Sequence, residues 1–214
     1  MKLALCFDVE TNGLPLWSTP SEDPAQPHLV EIGAILVDLD TRTELQAVNL
    51  IISPDDTWSI TDETTKIHGI SHEMACAVGI DEALAMDVFL DLWLIAEVRI
   101  GFNEPFDARM MRIAMKRFFA EDTMPDGTPL SDAWKDAPAI DVCQMAMPFC
   151  KLPATAKMIA AGRGGQPKKP KLAEAYEAIV GRPIEQAHTA RGDTRATLEL
   201  YFACLERQLA VDPA

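Results

Sequence analysis

Asp8 and Glu10 stand two residues apart near the start of the chain, Asn103-Glu104-Pro105-Phe106-Asp107 follows much later, and His188-Thr189-Ala190-Arg191-Gly192-Asp193 lies near the end. Along a strand alternate side chains share a face, so Asp8 and Glu10 project together while Leu3, Leu5, Phe7 and Val9 take the opposite side. Two acids on one face of a buried strand are costly unless they are paired or coordinate a metal, and no Lys or Arg lies between Lys2 and Arg42. Oxygen ligands suit Mg²⁺ or Mn²⁺. Two such ions about 4 Å apart can activate a water for in-line attack on a phosphodiester and stabilise the leaving oxygen. A histidine, with an unperturbed pKa near 6.5, is suited to take that water's proton. Asp8, Glu10, Asp107, Asp193 and His188 together therefore suggest a nuclease.

Each fragment alone is weak, because Asp-x-Glu, Asn-x-x-Phe-Asp and His-x-x-x-x-Asp are all common patterns. Their conjunction carries the argument. With each acidic residue type at roughly 6% frequency, four prescribed carboxylates arise by chance on the order of once in 10⁵ trials before search freedom is counted.

In order and spacing, Phe7 through Gly13, Gly101 through Asp107 and His188 through Asp193 resemble the three motifs of the DnaQ-like, or DEDDh, 3′-to-5′ exonucleases, which include proofreading subunits, RNase T, oligoribonuclease and the TREX enzymes. Val30-Glu31-Ile32-Gly33 and Ile67-His68-Gly69-Ile70 resemble further signatures of that family, and the resemblance covers nearly the whole chain. Phe102 departs from it, standing where many members carry His, but leaves Asp107 in place. Tyrosine-bearing relatives have Tyr four residues before the last Asp; Thr189 occupies that position here and indicates the histidine variant.

The resemblance implies an α/β fold of the RNase H-like type, a mixed β-sheet flanked by helices. It also implies stepwise release of nucleoside 5′-monophosphates from the 3′ end of single-stranded nucleic acid, with DNA favoured. Two Mg²⁺ or Mn²⁺ ions would be held by Asp8, Glu10, Asp107 and Asp193, with His188 as general base. Thr11 and Gly13 would meet the terminal nucleotide through the backbone, with His68, Asn103 and Phe106 as further substrate-binding groups. An exoribonuclease stays open because no motif reads the 2′-OH. So does a non-catalytic module that binds nucleic acid or a polymerase. An RNase H-like endonuclease or integrase-like enzyme would leave His188 and the second motif without a role.

The elements that must position these residues follow from periodicity. Apolar runs predict strands near 3–10, 29–38 and 44–53 as a meander. Between the first two, four prolines between Leu14 and His28 predict a loop beside the first motif. Thr61 and Ser71 begin helix-start patterns, and Leu84, Val88 and Leu92 recur at helical spacing within 80–95. After a strand at 98–102, Asn103 is expected to cap a helix with Pro105 in its first turn. That helix carries a core stripe of Phe106, Met110, Ile113, Ala114 and Phe118, with Arg109, Arg112 and Lys116 on a solvated face. Residues 122–138 read as a surface excursion, 172–180 as a helix, and 193–209 as another with Leu198, Tyr201, Phe202, Leu205 and Leu209 buried. His188 and Asp193 would sit roughly 140° apart on one continuous helix, so a bend at Gly192 is expected, with His188 on a mobile loop. Trp93 is expected in the core and Trp17, Trp58 and Trp134 in exposed loop packing.

With 214 residues, 48% hydrophobic and 24% charged, the chain suits one globular domain over residues 1–214. Five cysteines without a CxxC pair and without a secretory signal suggest reduced thiols and a cytoplasmic location. No apolar run approaches membrane-spanning length, so no membrane partner is expected. The formal charge of −14 argues against a general nucleic-acid-coating protein, leaves room for a small cleft, and hints at a basic protein partner. The basic stretch from Lys157 to Lys171, rich in Gly and Pro, is either a solvated loop or a lead for the strand toward the site.

Overall fold

The computed structural model describes residues 1–185 and 187–211. The three apolar runs form β1 (Leu3–Thr11), β2 (Leu29–Asp38) and β3 (Thr43–Ile51), and the short turn between the last two makes them antiparallel neighbours. Three helices follow, α1 (Asp62–His68), α2 (His72–Val78) and α3 (Glu82–Trp93). Thr61 and Ser71 cap the first two, their hydroxyl oxygens accepting the Thr64 and Met74 N–H groups. Then come β4 (Val98–Gly101), α4 (Glu104–Phe118), α5 (Leu130–Asp136) and β5 (Ala139–Asp141). The chain closes with α6 (Val142–Cys150), α7 (Ala156–Ala160), α8 (Leu172–Val180) and α9 (Ala190–Val211). Among the described residues one five-stranded sheet runs β3-β2-β1-β4-β5, with β4 parallel to β1 and β5 parallel to β4. This is the mixed sheet flanked by helices that the sequence implied.

The alternation along β1 divides the core. Leu5, Phe7 and Val9 pack with α3, α4 and α5, while Ala4 and Cys6 pack with α6, α8 and α9. Asp8 and Glu10 continue the second face, so they emerge where the α9 layer meets the end of the strand. Every residue of β2 is buried, as expected of a strand covered on both sides.

Several expectations need correction. Trp134 is fully buried, edge-on to Phe7, Phe89 and Trp93, and its Nε1–H donates to Ala108 O at 2.9 Å. Polar composition made 122–138 look superficial, yet α5 within it presses this ring into the core. Phe118 is 38% exposed because α4 ends there, and Leu84 is 52% exposed because α3 instead buries Ala85, Met86, Phe89 and Leu92. Leu209 is 70% exposed, beyond the reach of the layer that covers Leu198 and Tyr201. Trp93 is buried as expected, Trp58 stacks on His28 at 4.7 Å, and Trp17 is exposed.

Arg109 and Arg112 also depart from a solvated face. Arg109 donates to Thr19 O, Arg112 to Ser21 Oγ, and Arg117 to Gln26 O and Pro27 O, so α4 grips the 14–28 loop. Inside that loop the buried Gln26 amide accepts the Leu16 N–H and donates toward Leu16, Thr19 and Pro20 carbonyls. Proline-rich sequence specified a loop; these hydrogen bonds make it a built one.

Candidate active site

Two residues of β2 prepare the ground for the last motif. Asp8 faces Gly33 and Glu10 faces Glu31 in the β1–β2 register. A Cβ at position 33 would lie 2.5 Å from the backbone C and O of Ala190, so glycine is what lets the first turn of α9 rest on the sheet. The Thr194 hydroxyl reaches Gly33 O at 3.1 Å and holds that contact. Glu31 is buried; its Oε2 accepts the Ala190 N–H at 2.7 Å and its Oε1 accepts Asn49 Nδ2 at 2.9 Å. A carboxylate there satisfies one of the orphan donors of the helix start and complements its dipole. Sequence reading assigned Glu31 no role. The available signal was an acid flanked on both sides by apolar residues of the strand, and it lies directly opposite Glu10.

Docked this way, α9 carries Asp193 in its first turn, where one carboxylate oxygen from each of Asp8, Glu10 and Asp193 falls within 4.8 Å of the others. Asp107 comes from the first turn of α4, is buried, and accepts the Val9 N–H at 3.2 Å. The bend that separates His188 from Asp193 falls at His188 itself, whose φ is 64°, and not at Gly192, which lies inside α9. The His188 side chain is exposed, while its backbone N–H hydrogen-bonds the Asp193 carboxylate.

The electrostatics are those of crowded acids. Burial raises the Asp8 carboxyl well above its usual range, and the charges of Asp107, Asp193, Glu10 and Glu31 raise it further. Burial, then Asp193 and Glu31, lift Glu10 to about 7. Burial also raises Asp107, against the Val9 hydrogen bond, and raises Asp193, against the hydrogen bond and charge of His188. The charged neighbours acting on Asp8 and Glu10 are all carboxylates. Such a set of hard oxygen donors with unrelieved repulsion fits divalent cations.

Other predicted residues fall as follows. The Thr11 hydroxyl donates to Gly13 O at 2.8 Å just beyond the strand, and Asn12 and His28 close the base of the 14–28 loop through Asn12 N–H to His28 O. Phe106 is half-buried against the α3–α4 core. Asn103 does not cap α4: it adopts the left-handed conformation, φ 60° and ψ 42°, and donates its backbone N–H to Asp141 Oδ1 at 2.9 Å. Pro105 does occupy the first turn. His68 is 3% exposed at the end of α1, its Nδ1 accepting the Ile70 N–H at 3.1 Å, and it does not line the cavity of the acids. That cavity, of about 400 Å³, is lined by Asp8 and Asp193 together with Phe102, Asn103, Lys169 and Lys171.

The mixed sheet, with a carboxylate cluster at the end of its central strand, is an α/β fold of the RNase H-like class. The chain belongs to the exonuclease family RNase_T, whose sequence model matches residues 5–201, and it is DnaQ-like. A search of curated proteins finds no match. Among solved structures, E. coli exonuclease I in complex with a dT13 oligonucleotide is similar at TM-score 0.73 and 21% identity, over 99% of this chain and 42% of that one. A product-bound exonuclease I gives TM-score 0.71 and 20% identity, over 98% and 45%. The complex of exonuclease I with the SSB C-terminus gives 0.71 and 21%, over 98% and 42%. These likenesses establish the fold; the chain spans less than half the length of those proteins. No helix among the described residues is long and apolar enough to cross a membrane.

Proposed function

We propose that this protein is a 3′-to-5′ exonuclease that uses Mg²⁺ or Mn²⁺ to release nucleoside 5′-monophosphates from single-stranded DNA. The observation that carries the reading is the meeting of Asp8, Glu10 and Asp193 within 4.8 Å at the end of the central strand, in a chain of the exonuclease family. The oligonucleotide complexes of exonuclease I support single-stranded DNA as substrate.

Asp8, Glu10 and Asp193, with Asp107 beside them, would hold the metal ions. Bound there, divalent cations supply the positive charge that activates water and stabilises a leaving 3′ oxygen. His188 would accept the proton of the attacking water; the hydrogen bond of its backbone N–H to Asp193 and the exposure of its side chain support that role. Glu31 and Gly33 position Asp193 by seating the start of α9. The braced 14–28 loop fixes the exit of β1, so that Thr11 and Gly13 present a defined backbone to the terminal nucleotide.

Digestion of 5′-labelled single-stranded DNA and RNA of matched sequence tests this, with Mg²⁺, Mn²⁺ or EDTA and with His188→Ala as control. A metal-dependent ladder that shortens from the 3′ end, is lost in the variant and forms faster on DNA is expected. Cleavage of circular DNA, or turnover in EDTA, would overturn it.

A further inference from the structure

The basic stretch before α8 divides its lysines between two tasks. Lys168 Nζ pairs with Glu174 Oε1, and the Lys171 backbone N–H donates to Glu174 Oε2, so both flanks of Lys169 are tied to α8. Pro170 is buried directly after Lys169 and restricts the backbone there. Lys169 itself turns the other way. Its Nζ donates to Asn103 Oδ1 at 2.6 Å, and both residues line the cavity that holds Asp8 and Asp193.

Asn103 is equally fixed. Its left-handed backbone is one that few residues other than glycine adopt readily, asparagine among them, and the Asp141 carboxylate secures it through the backbone N–H. Its side chain is thereby free of helix capping and is directed to Lys169. The partner this gives the ammonium is neutral. Of three ammonium donors one is taken by the amide, and among the described residues no carboxylate lies within ion-pair distance of Lys169. A lysine ammonium held by Asn103 thus shares a cavity with Asp8 and Asp193, in a protein of net charge −14.

We propose that Lys169, oriented by Asn103, binds a non-bridging phosphate oxygen of the nucleic-acid strand as it enters the acidic cavity. The proposal rests on the nuclease reading of that cavity. Because this contact is to the backbone, it is independent of base sequence and forms in the ground state. It also gives the strand a cationic foothold on a protein of net charge −14.

The test compares wild type, Lys169→Met, Lys169→Arg and Asn103→Ala on a dT oligonucleotide between 50 and 200 mM salt, by steady-state cleavage with Mg²⁺ and by fluorescence anisotropy with Ca²⁺. Lys169→Met is expected to raise KM and Kd about tenfold, with a smaller change in kcat. Its log–log salt dependence should be shallower by about 0.7, the value for one single-strand phosphate contact. Lys169→Arg should restore the slope, and Asn103→Ala should raise KM while keeping the slope. If wild type cleaves and Lys169→Met matches it in KM, Kd and slope, the proposal falls and the nuclease reading stands. If wild type binds without cleaving, the nuclease reading fails and the anisotropy slopes still decide the role of Lys169. If wild type does neither, both fall.

Discussion

Glu31 accepts the backbone N–H of Ala190 at 2.7 Å, joining the second strand to the first residue of the last helix across 159 positions of sequence. Three residues past that bond stands Asp193, so the geometry of the carboxylate cluster depends on it. Glu31→Ala leaves a buried N–H without its acceptor, which costs about 1–3 kcal/mol. The variant should unfold at lower urea and bind Mn²⁺ more weakly by calorimetry, whereas Glu31→Gln, which keeps an acceptor, should lose less of both. Equal Mn²⁺ affinity in wild type and Glu31→Ala would show that the bond does not position the site.

Gly33→Ala attacks the same contact from the strand side. The new Cβ meets backbone atoms of Ala190 at 2.5 Å, and backbone cannot rotate away. Overpacking of this kind costs about 1–3 kcal/mol, and displacement of Asp193 should lower kcat at least tenfold. Melting curves and single-turnover cleavage would report the two effects separately; a variant with wild-type kcat would refute the positional claim.

Stability of the metal-free protein should fall as pH rises from about 4.5 to about 7. Glu10 has a usual value of 4.5 and is lifted to about 7 in the folded state, so the native form holds the extra proton across that window. Its contribution is complete below 4.5 and lost above 7, and at 1.36 kcal/mol per unit it is at most about 3 kcal/mol. On the proposed reading, divalent cations would replace the lost protons. Added Mg²⁺ should therefore raise Tm more at pH 8 than at pH 5. A Tm increment independent of pH, measured by scanning calorimetry, would contradict this account of the cluster.

Trp134→Ala should cost about 3–5 kcal/mol, since it empties a site enclosed by Phe7, Phe89 and Trp93 and removes the hydrogen bond to Ala108 O. Trp134→Phe should cost less, and urea midpoints would rank the two. Near-native stability of Trp134→Ala would mean that α5 is not part of the cooperative core.

Local pattern carried a large part of this protein. The two-residue period of β1 already placed Asp8 and Glu10 on one face, and uninterrupted apolar runs marked β2 and the meander, because those signals depend only on near neighbours in the chain. Motif order and spacing likewise indicated the family. Tertiary structure decided what distant segments do to one another: Glu31 and Gly33 seating Ala190, the α4 arginines bracing the 14–28 loop, Trp134 entering the core from a polar stretch, and Lys169 turning toward Asn103. None of these has a period to read. Each is a single hydrogen bond, close contact or buried ring whose partner lies elsewhere in the chain, and only the folded backbone brings the two within reach.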